Sequence, residues 1–181
     1  MKVKIIKEVG YNEAMIGLSL SYGTTVTKAE EVAIGLARKD GGHNKFLESI
    51  FVYLDVTAPR YWWQEADTFR ISTKQSESTI HTIHKMILKQ DNFELPIPMI
   101  TLDYLNLLIS KYKEHKTEYN LENLKNNLPE GFLQRRIWVV SYKTLRNIII
   151  QRNNHKLSGW KMFCKVICEN VENPEFLRKD E

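Results

Sequence analysis

Apolar and polar positions alternate in two parts of the chain and follow a helical spacing through most of the rest. Lys2, Val3, Lys4 and Ile5 alternate, which predicts a short half-buried strand. From 49 to 56, Ile50, Val52, Leu54 and Val56 face one way and Phe51, Tyr53 and Asp55 the other, the clearest strand signal in the sequence. Between these two strands lie two amphipathic stretches. One starts at Asn12 or Glu13 and carries Met15, Ile16, Leu18 and Leu20. The other is capped by Thr27, carries Glu30, Val32, Ala33 and Leu36, and is stopped by Asp40-Gly41-Gly42. After Pro59, residues 61–69 read as a helix that enters a site-forming loop, because Gln64, Glu65, Asp67 and Thr68 make the stretch too polar for plain core. Residues 82–89 look helical, and Pro96 and Pro98 break the connection that follows. Leu102, Leu105, Leu108, Ile109 and Tyr112 form a strong helical stripe, and the charged run 113–118 beyond it reads as a solvated face. A short strand is expected around 137–140, then helices over 143–152 and 158–171.

Composition changes this picture little. The 181 residues are 43% hydrophobic and 27% charged with a mean hydropathy of -0.39, the profile of a folded chain, and no linker divides it, so one domain over 1–181 is expected. No apolar run approaches a membrane span and no secretory pattern opens the chain, so the expected location is cytoplasmic. A net charge of +4 favours anionic ligands weakly and is small for a protein that wraps nucleic acid. Cys164 and Cys168, at i,i+4 spacing, read as buried thiols. His81 and His84 lack the carboxylate or cysteine that would complete a ligand set, so no metal is expected. Phosphate-loop, dinucleotide-fingerprint, hydrolase-elbow and zincin motifs are absent from the sequence.

Two blocks carry more information. The first runs from Gly42 and His43 through Leu47 and Glu48 into the strand and on to Ala58-Pro59. The second contains Leu128-Pro129, Trp138, Lys143, Asn147, Arg152 and Trp160. In this order and at these spacings they resemble the flavin-dependent thymidylate synthase family. That family's signature, Arg-His-Arg, seven residues and Ser, falls without gaps on Thr68-Phe69-Arg70 and Ser78, so Arg70 and Ser78 are kept and the first Arg and the His are not. Its phosphate-holding Arg two residues after the Ser corresponds to Ile80, which supplies no charge-assisted bond. The Glu and Arg before Leu-Pro correspond to Glu122 and Lys125, where lysine keeps the charge without the bidentate fork. The essential nucleotide-contacting Arg, five residues after an Asn, falls on Arg152 after Asn147. One residue more than in the family pattern separates Arg152 from Trp160, which leaves His155 near the family's histidine and not on it.

The resemblance implies an α+β fold with a small central antiparallel sheet and flanking helices, assembled as a homotetramer with sites between subunits. It implies reductive methylation of dUMP at C5, with methylenetetrahydrofolate supplying the carbon and FAD, reduced by NADPH, the hydride. By the same correspondence Arg152 is the catalytic and nucleotide-holding residue. Ser78 and Lys125 bind the nucleotide phosphate, and Arg70 counts both toward that phosphate and, with His43, Lys143 and Asn147, toward the cofactor. Trp62 and Trp63 read as core or subunit contact before they read as flavin stackers. The hydroxyl-rich run 72–79 reads either as a polar loop or as a phosphate-binding segment leading into a helix near Thr79. Glu65 and Asp67 make the site less attractive to anions than the family's. The losses at Thr68, Phe69 and Ile80 keep an alternative open, a diverged nucleotide-binding or base-modifying protein of the same fold without thymidylate synthase activity. A compact chain rich in Lys and Asn also suits a phage or mobile-element genome.

Overall fold

The structure, a computed structural model, describes residues 1–39 and 41–178. In chain order the elements are β1 (Lys2–Val9), α1 (Tyr11–Tyr22), α2 (Val26–Arg38), β2 (Phe51–Pro59), α3 (Arg60–Ala66), β3 (Ser72–Ser76), α4 (Thr79–Thr82), α5 (Met99–Glu114), α6 (Glu118–Asn127), β4 (Leu133–Ser141), α7 (Tyr142–Arg152) and α8 (Ser158–Asn170). Short 3-10 turns stand at Lys45–Glu48, Ile83–Lys85, Gln90–Asn92 and Pro174–Leu177. The strands form one four-stranded antiparallel sheet in the order β1-β2-β4-β3, so the fold is α+β as the resemblance implied. No helix among the described residues is long and apolar enough to cross a membrane.

The sheet order follows from the side chains. β2 is interior, and Val52, Leu54 and Val56 are fully buried on the face that the alternation predicted. β1 runs four residues further than expected, and its exposed Lys2, Lys4 and Lys7 suit a sheet edge, where charge discourages pairing with another chain. β3 is the other edge. Its sequence Ser-Thr-Lys-Gln-Ser has no apolar alternation, so the strand escapes a hydrophobicity reading, and the run 72–79, read as a polar loop or a phosphate-binding segment, is through Ser76 a strand.

Other expectations need correcting. The cap of α2 is Thr25, whose hydroxyl accepts the Lys28 N–H, and the helix starts one residue before Thr27. Ile16, Leu20 and Val32 point outward, while the buried faces are Ala14, Met15 and Leu18 in α1 and Ala29, Ala33, Leu36 and Ala37 in α2. Gly41 and Gly42 take the left-handed conformation that follows α2, and Asp40 of the expected stop lies outside the described residues. The helix expected over 82–89 is a single turn at α4 and a 3-10 turn. A helix not expected at all, α6, is capped by Thr117 and buries only Leu124. Cys164 is buried as expected, whereas Cys168 is exposed.

The described residues group into two compact units. One comprises Met1, 57–66 and 76–136. Its core contains Ile83, Leu88, Phe93, Leu102, Leu105, Leu108, Ile109, Leu124, Leu128 and Phe132, and Trp62 and Trp63 are fully buried there edge to face, with centroids 5.0 Å apart. The Trp63 Nε1–H donates to the Gln134 carbonyl at 3.0 Å, and the Arg136 guanidinium covers its ring at 4.5 Å. The second unit comprises 2–39, 41–56, 67–75 and 137–178. It contains the stack of Trp138 on Phe163 at 5.6 Å and the fully buried Trp160. All four tryptophans are buried by their own chain, so of the two places the sequence allowed Trp62 and Trp63, core or subunit contact, they take the core.

Candidate functional site

In the second unit the predicted residues gather along α7. Ser141 caps this helix by accepting the Thr144 N–H at 3.2 Å. Beneath it the almost fully buried Arg146 donates from Nη2 to the Arg38 carbonyl at 2.8 Å and from Nε to the Arg178 carbonyl at 3.3 Å. That places a cation on the carbonyl-rich end of α2, where it is favourable. It also anchors α7 from below, so the outer face is held in place.

On that outer face Lys143 donates from Nζ to the side-chain oxygen of Asn44. Asn44 is fully buried and donates from Nδ2 to the Ala37 carbonyl at 3.2 Å, so the lysine is bound to a fixed acceptor one residue from His43. Next in the helix, the Thr144 hydroxyl donates to the Arg70 carbonyl at 3.1 Å. Asn147 is exposed one turn on from Lys143, on the same face. Of the four residues assigned to a cofactor, Lys143 and Asn147 thus lie on α7 itself, the Arg70 backbone is bonded to it through Thr144, and the sequence neighbour of His43 is bonded to it through Lys143. Asn44 and Thr144 make those ties, and sequence reasoning missed both. Asn44 stood inside the quoted Gly-His block, and no signal marked Thr144. His43 itself is exposed on the rim of a cleft of about 730 Å³ lined by Gly42, His43, Lys45 and Glu48 and by Glu13 and Gly17 of α1.

The segment that carries Arg70 is strained. Ile71 has φ 58°, and a β-branched residue in the left-handed region is an outlier that surrounding contacts must hold. Those contacts are the Thr144 bond to Arg70 and a bond of 3.1 Å from the Ser72 hydroxyl to the Phe69 carbonyl. In β3 the Lys74 ammonium lies 3.5 Å from Asp67 and 4.9 Å from the centre of the Trp138 ring, and it donates to the Ser72 hydroxyl at 3.2 Å. Asp67, expected to weaken anion binding, therefore serves to hold a mostly buried lysine.

Arg152, the last residue of α7, is half-buried. Its guanidinium carbon lies 5.6 Å from the centre of Phe69 and 5.3 Å from that of Trp160. The Arg152 carbonyl accepts the His155 N–H at 3.0 Å, and His155 Nδ1 accepts the Leu157 N–H at 3.2 Å, which leaves the proton of the neutral ring on Nε2.

In the first unit, Ser78 and Lys125 come together through Thr79. The Lys125 ammonium donates to the Thr79 hydroxyl, and the half-buried Ser78 precedes that residue with its carbonyl accepting from Thr82. Burial, and after it the nearby Arg60 charge, push the Lys125 ammonium below its usual pKa. Such a lysine is stabilised by an arriving anion. α4 has only four residues and offers little dipole, so the anion site expected at its start rests on Lys125 and Ser78 alone. Ile80 is half-exposed and apolar where the family pattern has its phosphate arginine, and Glu122 is exposed. Neither cysteine is a poised nucleophile, since burial pushes the Cys164 thiol up to about 12 and raises that of Cys168 as well. His84 packs edge to face on Tyr112 at 5.7 Å, and burial followed by surrounding lysines lowers its pKa.

No protein-family profile and no curated protein matches the chain. Among solved structures it is similar to the flavin-dependent thymidylate synthase ThyX from Helicobacter pylori complexed with FAD and dUMP. The TM-score is 0.78 at 16% identity, covering 98% of each chain. A second structure of Helicobacter pylori ThyX with FAD and dUMP gives 0.79 at 14% identity, covering 98% of this chain and 97% of that one. The architecture described above is therefore the flavin-dependent thymidylate synthase fold.

Proposed function

We propose that this chain is a diverged flavin-dependent thymidylate synthase that methylates dUMP reductively at C5, with methylenetetrahydrofolate as carbon donor, and works as a homotetramer whose sites lie between subunits. What supports this reading is the likeness of the whole chain to the fold of ThyX complexed with FAD and dUMP, together with the family spacing kept at Arg70, Ser78, Asn147 and Arg152.

The donor set fits a flavin dinucleotide. Arg70 supplies an exposed cation for a diphosphate, and Asn147 an exposed amide able to pair with ring carbonyl and N–H groups. Lys143 is bonded to Asn44, the sequence neighbour of His43. FAD, when bound and reduced by NADPH, supplies the hydride chemistry, and the protein contributes binding, orientation and electrostatics. Arg152 holds the pyrimidine nucleotide and polarises it with a permanent charge. By the family correspondence Ser78 and Lys125 bind its phosphate. No cysteine nucleophile is required, in keeping with the raised thiol pKa values.

Two observations favour a second reading, in which the fold binds a nucleotide, or modifies a base, without making thymidylate. Ile80 replaces a phosphate ligand, and Phe69 sets an apolar ring on Arg152 where the family signature has a histidine. An assay with dUMP, methylenetetrahydrofolate, FAD and NADPH separates the two. Formation of thymidylate upholds the first reading. Calorimetric binding of dUMP without turnover upholds the second, and absence of binding defeats both.

A further inference from the structure

Phe69 enters the sequence reading only as a loss, the absence of the signature histidine. The structure gives its ring a definite place. The centres of Phe69 and Trp160 are 5.9 Å apart, edge to face, and the Arg152 guanidinium carbon lies 5.6 and 5.3 Å from them. These three distances make a nearly equilateral triangle, so both rings meet the guanidinium from one side, in a V. Cations are attracted to ring faces within about 6 Å, and the attraction strengthens where water is reduced. The V is itself fixed. Trp160 is fully buried against Phe163, 5.9 Å away, which stacks in turn on Trp138. Phe69 stands between the Ser72 hydroxyl, bonded to its carbonyl, and Arg70, bonded to Thr144, with the strained Ile71 backbone closing the loop. On the other side the turn after Arg152 closes through His155, whose ring also meets Trp160 edge to face at 6.4 Å.

We infer that Phe69 and Trp160 form an aromatic cradle that positions Arg152 for an anionic pyrimidine nucleotide, with Phe69 acting as a positioning residue in place of the missing histidine. An arginine side chain alone has several rotatable bonds, and each loses entropy on binding. Rings against one side of the guanidinium remove much of that freedom beforehand. The inference rests on the assignment of Arg152 to the nucleotide, and its test separates the two claims.

The experiment uses the full chain with 15N-labelled arginine and three variants, Phe69→Leu, Phe69→Tyr and Arg152→Lys. Loss of one Nε–H resonance in Arg152→Lys identifies the Arg152 signal, which two adjacent rings shift from the ordinary arginine position. In Phe69→Leu that signal moves back toward the ordinary position and dUMP affinity falls on the order of tenfold, the range of a desolvated cation–ring contact. Phe69→Tyr keeps the ring and retains both. An unmoved signal in Phe69→Leu overturns the cradle, as does a loss in Phe69→Tyr equal to that in Phe69→Leu. A moved signal with unchanged affinity overturns the positioning role. If the unmodified chain does not bind dUMP, the nucleotide assignment falls, and with it the positioning role, while the resonance still decides whether the cradle exists.

Discussion

Arg152 contributes both packing and charge, and substitution separates the two. Its carbon stem and guanidinium cover aromatic surface, so Arg152→Ala loses packing worth about 1 kcal/mol of stability, more than the ~0.5 kcal/mol typical of an exposed site. Loss of its charge-assisted bonds to a nucleotide weakens dUMP binding by roughly 1.5–3 kcal/mol. Calorimetry and denaturant unfolding measure these separately, and equal dUMP affinities for the two proteins would remove Arg152 from the site. A second residue is tested by pH. Glu8 accepts from the Tyr142 hydroxyl and from the Glu172 N–H, yet burial, its dominant influence, raises its pKa. The folded state then holds a proton that the unfolded chain has released, so stability falls as pH rises from the ordinary glutamate value of about 4.3 through the raised folded one. Glu8→Gln keeps an acceptor for Glu172 and lacks the titration. Its melting temperature should vary less with pH across that window than the unmodified chain's, and parallel curves for the two proteins would refute the assignment.

Elements that bury an unbroken apolar face could be read from sequence, and those held by partners could not. β2 and α5 were legible because every second, or every third to fourth, residue is apolar and ends up buried. β3 and α6 were not. β3 is a polar edge strand, and α6 depends on one buried leucine and a threonine cap. The helix expected over 82–89 has apolar residues at helical spacing, but its chain turns after Lys85, and the Leu88 N–H is taken by the Asn106 side chain from α5. The candidate site divides along the same line. His43, Arg70, Asn147 and Arg152 were visible through motif spacing. Asn44, Thr144 and the cradle were not, because each depends on residues distant in sequence. Gly10 is a junction of this kind. It joins β1 to α1 at φ 93°, and a Cβ there would lie 2.2 Å from the Ser49 carbonyl oxygen, whereas Gly23, also left-handed, has open space around it. Gly23→Ala should cost about 1–2 kcal/mol, the ordinary left-handed penalty. Gly10→Ala should cost at least about twice that because backbone must move as well. Equal costs in urea unfolding would show that the close approach of Gly10 to Ser49 does not matter.

For the whole molecule, cofactor retention and assembly remain to be tested. Thr68 and Phe69 stand where the family signature has Arg and His, and each charge-assisted bond lost is worth roughly 1.5–3 kcal/mol, one to two decades in affinity. Purified protein should therefore hold FAD at less than one per chain, read from its absorbance near the flavin band. Full, tightly held FAD would mean that other residues have taken over. The tryptophans are buried by their own chain, so a surface for assembly has to be sought elsewhere. α5 turns Leu102, Leu105 and Ile109 into its unit, yet on the opposite side Ile100, Tyr104 and Leu107, at spacings of four and three, are 79%, 43% and 50% exposed. Leu95 and Met99, just before that stripe in sequence, are 74% and 60% exposed. Apolar side chains grouped in this way mark a contact surface. In a homotetramer a second copy of the same helix covers them, since a two-fold axis makes a patch its own complement. Light scattering at micromolar concentration should give about four times the 21.3 kDa chain mass. Ile100→Glu with Leu107→Glu should lower that mass while leaving the circular dichroism spectrum unchanged, because neither residue belongs to the buried face. A monomer before substitution defeats the tetramer, and an unchanged tetramer after it moves the contact away from α5.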